Sequence, residues 1–236
     1  CQWVKNKHPD VTTINLKGNP STFVTQIDRL GLFTKDNITT EDYNRINTYQ
    51  TNKKIEQVKI NEGDLQKFLK SLSPLLTVEK IGPYSIDRVE QLILKTNQFK
   101  LNSDTFSKSY IKKNKKNFLT FRFKDNLTDY GIVVIVVYFI NEKTLNIHNW
   151  VMSCRVFDRN IEFTIVSILQ KLAKRNSCLK ISLKFEKLLK NLPAKLAIEK
   201  IGFKKKSFSF YEINVSKVLK NDFIKVKNLE RILIDG

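Results

Sequence analysis

The stretch "IHNWVMSCRVFDRNIEFTIVSIL", Ile147 to Leu169, decides the fold. Its first residues predict a buried strand, its last residues predict a helix, and "SCRVFDRN" between them predicts a sharp turn. The first amide groups of a helix have no intrahelical partners and favour anions. The turn adds two arginines, Arg155 and Arg159, and a thiol, Cys154. The arginines indicate a phosphate, and the thiol is either an acyl acceptor or a packed side chain.

Strands and helices alternate on both sides of this stretch. The patterns predict strands over 75–82, 117–123, 131–139, 144–153, 178–185 and 208–215, and helices over 159–175 and 192–202. Before residue 111 the chain is mostly helical, with helices predicted from Pro20 to Gly31 and over 39–59, 62–74 and 84–102. A strand-like run, "VTTINL" (11–16), precedes them. The fold class is therefore α/β, a mixed sheet with flanking helices, preceded by a helical connecting region.

Composition limits the class of protein. The 236 residues are 41% hydrophobic, enough for a substantial core. Three cysteines and no signal peptide favour a reducing compartment, so we expect a cytoplasmic protein. The longest apolar run, 132–140, falls short of the roughly 20 residues that a membrane helix needs. We expect no membrane partner.

The formal net charge of +19 allows two interpretations. It favours an acidic partner, such as nucleic acid or an acidic carrier protein. It is also the composition expected from an AT-rich genome, since lysine far outnumbers arginine. No cluster of arginines with aromatic residues marks a nucleic-acid surface, so an acidic protein is the better candidate partner.

Several side chains are candidates for chemistry. Cys154 has the helix start and Arg155 nearby, which would lower the pKa of a thiol that accepts an acyl group. Arg155 and Arg159 either hold a phosphate or pair with Glu162 and Asp158 as a surface cluster. His148 is either a general base near the thiol or a structural side chain. Two isolated histidines and scattered cysteines give no metal-ligand spacing, so no metal site is predicted.

The order of elements from residue 117 onward is similar to the acyl-CoA N-acyltransferase (GNAT) fold. Four motifs, "RVEQLILKTNQFKLN", "DNLTDYGIVV", "WVMSCRVFDRNIE" and "KNLPAKLAIEKIGF", together resemble the C-terminal part of the FkbH-like family. Members of that family are fusions of a haloacid-dehalogenase-like (HAD) phosphatase with a GNAT-like domain. The resemblance implies that residues 1–16 are the tail of a HAD-like domain, 17–110 a helical connecting region, and 111–236 the GNAT-like acyltransferase domain.

The same resemblance implies an activity. A glyceryl group from 1,3-bisphosphoglycerate would pass to the phosphopantetheine thiol of an acyl carrier protein, with Mg²⁺ needed only in the HAD-like domain, whose aspartate motif this chain lacks. Phosphopantetheine or coenzyme A would meet the turn and the later helix, and the substrate would meet the end of the first helix of the domain. The implied cofactor-binding residues are Arg155, Arg159, Asn160 and Asn191, and the implied substrate-binding residues are Asn97 and Gln98.

The turn departs from the family in one respect. Where the family carries glycines in a "CRVLGRG"-like motif, this chain has Asp158 and Asn160. Glycine lets a backbone approach a phosphate closely and take unusual dihedral angles. A catalytically degenerate module that docks an acyl carrier protein is therefore the alternative to an active acyltransferase, and a binder of duplex nucleic acid ranks third.

Overall fold

A computed structural model describes residues 1–33, 62–216 and 223–230. The chain divides into two compact units, Cys1–Tyr43 and Asn44–Gly236. Because the predicted helix over 39–59 lies outside the described residues, it stays a prediction.

The first unit contains two short helices, α1 (Gln2–Lys7) and α2 (Phe23–Arg29). The predicted start of α2 is confirmed, since a 3-10 turn over Pro20–Thr22 leads into it. Gly31 ends it with a left-handed φ of 61°. The strand-like run over 11–16 was expected to belong to a preceding HAD-like domain, and that assignment stays a prediction. That run has no regular secondary structure and no strand partner among the described residues, and a strand is stable only when its backbone groups are paired.

The second unit holds one mixed sheet with helices on both faces. Its strands are β1 (Leu75–Glu79), β2 (Phe118–Lys124), β3 (Asp129–Asn141), β4 (Thr144–Met152), β5 (Lys180–Lys184), β6 (Lys204–Lys205), β7 (Phe210–Asn214) and β8 (Lys225–Lys227). Its helices are α3 (Glu62–Ser71), α4 (Ile86–Lys95), α5 (Lys108–Lys113), α6 (Ile161–Arg175) and α7 (Leu192–Ile201).

The strand order in the sheet is β6-β7-β5-β4-β3-β2-β1-β8. Strands β1 to β4 form an antiparallel meander, and β4 then pairs with β5 in parallel. A parallel neighbour requires a crossover connection, which helix α6 supplies. This arrangement confirms the predicted fold class, a mixed α/β sheet with flanking helices in the strand and helix order expected from the GNAT-like resemblance.

Each face of the sheet has its own core. Helices α6 and α7 cover one face, where Trp150, Ile165 and Ile198 belong to a single buried cluster. Helix α4 covers part of the other face, with the predicted inward residues Val89, Leu92 and Ile93 all buried there. The apolar residues of β2 to β4 are buried on both faces, which explains their near-continuous hydrophobic runs.

The sequence patterns missed three short elements, α5, β6 and β8. Helix α5 is "KSYIKK", in which Ile111 is the only buried residue, so it has no apolar periodicity to recognise. Strands β6 and β8 are two and three residues long and rich in lysine. The domain boundaries at 16/17 and 110/111 stay predictions, although β1 is already paired in the sheet.

Candidate active site

The site is built around β4, whose C-terminal half leaves its neighbour β5. The parallel register runs from Thr144↔Lys180 to Ile147↔Leu183 and then stops, while β4 continues to Met152. The two strands therefore enclose a wedge, bounded on one side by residues 148–152 of β4 and on the other by the chain that follows Leu183. The turn Ser153–Asn160 lies at the end of β4, and α6 begins directly after it.

His148 occupies a β-bulge at the apex of the wedge. Val137 of β3 faces Asn149 and Tyr138 faces Ile147, so His148 is the extra residue of β4. Bulges re-aim side chains and occur next to active sites. The half-exposed imidazole of His148 is paired with Asp104, with Nε2 and Oδ2 3.1 Å apart. His148 and Asp104 line a cleft of about 270 Å³.

Within the turn, Cys154 is exposed and Arg159 is buried. Cys154 is exposed and free, at the first position of a 3-10 turn over Cys154–Val156. Ser153 caps this turn, since its Oγ accepts hydrogen bonds from the backbone N–H and the Nε of Arg155, both at 3.4 Å. The side chain of the half-buried Arg155, the residue after Cys154, is thus held against Ser153.

Arg159 points into the protein, away from any solvent-borne phosphate. Only 2% of it is exposed. Its Nη1 donates to the carbonyls of Arg155 (2.9 Å) and Phe157 (3.3 Å), and its Nη2 donates to the Tyr130 hydroxyl (2.8 Å). Tyr130 in turn donates to Asp125, at 3.2 Å. We call Arg159, Tyr130 and Asp125 the arginine cluster.

The arginine cluster fixes the turn from below. The guanidinium of Arg159 lies 4.8 Å from the centre of the Tyr130 ring, and its Nε lies 4.0 Å from the buried carboxylate of Asp125. Burial raises the pKa of the Tyr130 hydroxyl, so this group stays protonated and can donate. Arg159, predicted to bind a cofactor phosphate or to belong to a surface cluster, is instead a positioning residue that ties two carbonyls of the turn to the core.

Asp158 and Asn160 keep the backbone that glycine would favour. Their φ angles are 64° and 55°, in the left-handed region. Aspartate and asparagine tolerate this region better than other non-glycine residues. The turn therefore keeps glycine-type dihedrals at the two positions where the motif that it resembles has glycine. Asn160 occupies the N-cap position of α6, so its backbone shapes the start of that helix.

The other predicted residues, Asn97, Gln98 and Asn191, lie outside the stretch Ser153–Asn160. The exposed Asn97 and Gln98 follow the end of α4. Asn191, only 1% exposed, has its amide fully engaged: its Nδ2 donates to the carbonyls of Lys100 and Glu186, both at 2.9 Å, and its Oδ1 accepts from the Leu188 N–H at 2.8 Å. Asn191 is thus a structural residue of the wedge, and its amide is not free for a cofactor.

The structure does not bring His148 and Cys154 together. His148 lines the cleft and Cys154 does not. The extended strand from His148 to Met152 spans about 13 Å at roughly 3.3 Å per residue. A general base acts at hydrogen-bond distance or through one water. The predicted role of His148 as a base for Cys154 therefore has no support from the geometry.

The stretch that fills the wedge was predicted as the end of the helix over 84–102, but that helix ends at Lys95. Residues Phe99–Asp104, which we call the wedge segment, lie along β4. The Met152 N–H donates to the Phe99 carbonyl (3.0 Å), and Lys100 forms an antiparallel bridge with Val151. Beyond the wedge, the Glu186 N–H donates to the Leu101 carbonyl (2.9 Å). The two apolar side chains of the wedge segment, Phe99 and Leu101, are buried. Such a short run between a helix and a loop gives no recognisable strand pattern.

These features give a mixed fit for phosphopantetheine. At the turn, the Arg155 side chain and the left-handed backbone suit a phosphate. Along β4 the residues do not suit an extended cofactor arm, since the wedge segment already pairs with the edge of β4. Among the described residues, no group of three histidine, cysteine or acidic side chains is arranged to hold a metal ion. No described helix has the length and apolarity to cross a bilayer.

Comparisons with known proteins place the chain beside GNAT structures. No protein-family model matches, and no curated protein matches. An acetyltransferase of the GNAT family from Bacillus anthracis is 15% identical, with 60% of this chain and 96% of that chain covered and a TM-score of 0.47. The ribosomal-protein-S18-alanine N-acetyltransferase from Escherichia coli is 10% identical, with 62% and 97% covered and a TM-score of 0.46.

A third solved structure is spermidine N-acetyltransferase from Vibrio cholerae in complex with CoA and spermine. It is 13% identical, with 61% of this chain and 98% of that chain covered and a TM-score of 0.46. These identities and scores are too low to indicate the activity, substrate or cofactor of this chain.

Proposed function

We propose that this chain is an acyltransferase module of GNAT-like fold that passes a glyceryl-type acyl group to the phosphopantetheine thiol of an acyl carrier protein. The observation that carries the proposal is the turn after β4. It presents a free, exposed thiol, Cys154, beside a cation, Arg155, on a backbone held rigid by the arginine cluster. The donor, 1,3-bisphosphoglycerate processed by a HAD-like domain, and the cytoplasmic location follow from the family resemblance and the composition.

The proposed transfer uses two thioester steps. The Cys154 thiolate attacks the acyl carbonyl of the donor, a C–S bond forms, and the C1 phosphate leaves with the electron pair of the broken C–O bond. The C3 phosphate ester is hydrolysed by water in the HAD-like phosphatase domain, which releases inorganic phosphate and leaves the glyceryl hydroxyl. The proton of Cys154 goes to solvent. The carrier thiol, as its thiolate, then attacks the Cys154 thioester, and Cys154 leaves as a thiolate that takes up a proton. Since both species are thioesters, the second step costs little free energy.

The site residues have distinct parts in this scheme. Cys154 holds the acyl group, and Arg155 attracts the anionic donor or the phosphate of the carrier. Arg159 touches neither substrate and acts through the backbone carbonyls of Arg155 and Phe157. The net charge of +19 suits an acidic carrier protein.

Mass spectrometry of the acylated protein tests the proposal. The chain is incubated with the glycerate thioester of pantetheine, an acyl donor that needs no second domain. We expect a glyceryl adduct on the wild type and none on Cys154→Ala. Cys1→Ser is the matched control, because Cys1 is the other exposed thiol among the described residues. Equal adducts on wild type and Cys154→Ala would overturn the proposal.

A docking module is the second candidate function, and the filled wedge favours it. The chain's own backbone occupies the edge of β4, so this edge is not open to a cofactor arm. In this case the phosphopantetheinylated carrier binds Cys154→Ala as tightly as wild type, and Arg155→Ala weakens binding. Titration calorimetry with the same carrier distinguishes this function from catalysis, provided that the glyceryl adduct is also absent.

A further inference from the structure

Helix α7 carries leucines on the side that faces solvent. Leu192 and Leu196 are 61% and 56% exposed, and Leu189, in the turn just before the helix, is 96% exposed. A surface helix normally has polar residues opposite its buried side, which in α7 consists of Ala194, Ile198 and Ile201. Single exposed apolar residues need no explanation, whereas a run of them marks an interaction site. We call Leu189, Leu192 and Leu196 the leucine stripe.

Lysines border the leucine stripe on both sides of α7. With 3.6 residues per turn, Leu192 and Leu196 lie about 40° apart around the helix axis. Lys195 lies about 60° from Leu192 on one side, and Lys200 lies about 40° from Leu196 on the other side. The carboxylate of the exposed Glu199 lies 3.8 Å from the Lys195 ammonium, and an exposed pair of this kind contributes little to stability. An incoming carboxylate can therefore take the place of Glu199 at little cost.

We infer that the leucine stripe and its flanking lysines are the docking face for an acidic amphipathic helix of a partner protein. The inference rests on the proposed function only for the identity of this partner, an acyl carrier protein. Leu192 and Leu196 are four residues apart and form a ridge of the kind that packs into the groove of a second helix. Carboxylates of the second helix would pair with Lys195 and Lys200, as charged residues flank the apolar seam of a coiled coil.

Helix α7 connects the two parts of the candidate active site. At its N-terminal end, Asn191 donates to the carbonyls of Lys100 and Glu186 in the wedge. Near its C-terminal end, the Lys200 ammonium lies 5.7 Å from the centre of the Phe163 ring, in the first turn of α6. A protein docked along α7 therefore lies beside both the wedge and the helix that follows the turn.

Two other occupants fit the leucine stripe less well. A second copy of the chain would bring lysines against lysines, and each copy has a formal net charge of +19. A bilayer surface favours helices with a large apolar side that includes tryptophan or phenylalanine. The outer apolar side of α7 consists of two leucines between Lys195 and Lys200, which suits one partner helix.

Binding of the apo form of the carrier, which lacks the phosphopantetheine arm, tests the docking face. The double variant Leu192→Gln/Leu196→Gln removes the ridge and leaves the net charge unchanged. Both leucines are exposed, so their replacement should not affect folding. Leu94→Gln is the matched control, because Leu94 is 59% exposed on α4, which covers the opposite face of the sheet. Titration calorimetry at one fixed ionic strength measures the three affinities.

We expect the double variant to bind the apo carrier about tenfold more weakly than wild type, or worse, and Leu94→Gln to bind as tightly as wild type. Equal affinity of all three proteins overturns the inference, because attraction by net charge alone would then explain binding. Absence of binding to wild type also overturns it. So does a double variant that instead abolishes dimerisation of the chain or its binding to phosphatidylglycerol vesicles, both measured by sedimentation.

The glyceryl adduct on Cys154 separates this inference from the proposed function. The pantetheine thioester is a small donor that needs no docking face, so the double variant should form the adduct as wild type does. A wild-type adduct together with unchanged carrier binding in the double variant would overturn the docking face alone. Weaker carrier binding in the double variant, without an adduct on wild type, would overturn the transfer alone.

Discussion

The turn after β4 and the wedge beside β4 are neighbouring parts of one site, and they are built in different ways. The turn is one continuous stretch, Ser153–Asn160, fixed from below by the buried arginine cluster. The wedge joins three separate stretches, the segment Phe99–Asp104, strand β4 and the chain from Leu183 to Asn191. The functional side chains of a continuous stretch can be recognised in the sequence. Those of a site assembled from separate stretches by backbone pairing cannot.

The largest effect is expected from a substitution that disrupts the turn and leaves the wedge intact. Arg159→Met removes the partner of the buried Asp125 and Tyr130 and of two turn carbonyls. Loss of one partner from a buried charged network costs about 3–5 kcal/mol. We expect a decrease of this size in the free energy of unfolding, measured with urea.

Arg155→Met is the matched control, since Arg155 is half-buried at the surface of the same turn; its effect should be about 0.5 kcal/mol. Alkylation of Cys154 by iodoacetamide gives a second readout, because a loosened turn changes thiol reactivity in Arg159→Met. Equal stability losses in the two variants would show that the arginine cluster does not hold the turn.

The second-largest effect is expected from a substitution that disrupts the wedge and leaves the turn intact. Asn191→Ala removes three hydrogen bonds and leaves the Lys100 and Glu186 carbonyls without this donor. An unsatisfied buried polar group costs about 1–3 kcal/mol, so we expect a loss of about 2 kcal/mol. Faster hydrogen exchange should be confined to residues 99–104 and 186–191.

The exposed Asn97 supplies the control, since Asn97→Ala changes the same residue type without touching the wedge. The rate of Cys154 alkylation should be unchanged in Asn191→Ala. An altered alkylation rate would mean that the turn and the wedge are coupled and not separately built.

The sequence predicted the sheet well and the site only in part. Long apolar runs such as 131–139 and the helix over 159–175 have clear periods, and the structure confirms both. The contiguous turn was also predicted. The direction of Arg159 was not, because an arginine in a turn is usually exposed and only the distant Tyr130 and Asp125 draw it inward. The bulge at His148 depends on register with β3, which spacing along one strand does not reveal.

The smallest effect is expected from a substitution of Glu162 at the start of α6, the helix that follows the turn. Glu162, in the first turn of this helix, is only 9% exposed. Burial raises the pKa of its carboxyl, although Lys200 acts in the opposite direction. The folded state therefore binds a proton more tightly than the unfolded state. Stability is lost as the pH rises from the unfolded pKa, near 4.3, through the higher folded pKa.

Glu162→Gln removes this titration and keeps the shape of the side chain. At pH 8 we expect the midpoint of thermal unfolding to rise by about 2 °C relative to wild type, with no difference near pH 3, below the unfolded pKa, where Glu162 is protonated in both states. Thermal unfolding across this range measures the effect, and Glu199→Gln, at an exposed glutamate of α7, is the control. A wild-type protein that gains stability over Glu162→Gln as the pH rises would show that the helix start and Lys200 outweigh burial. The start of α6 would then be a site that favours negative charge, which would strengthen the case for a phosphate at the turn.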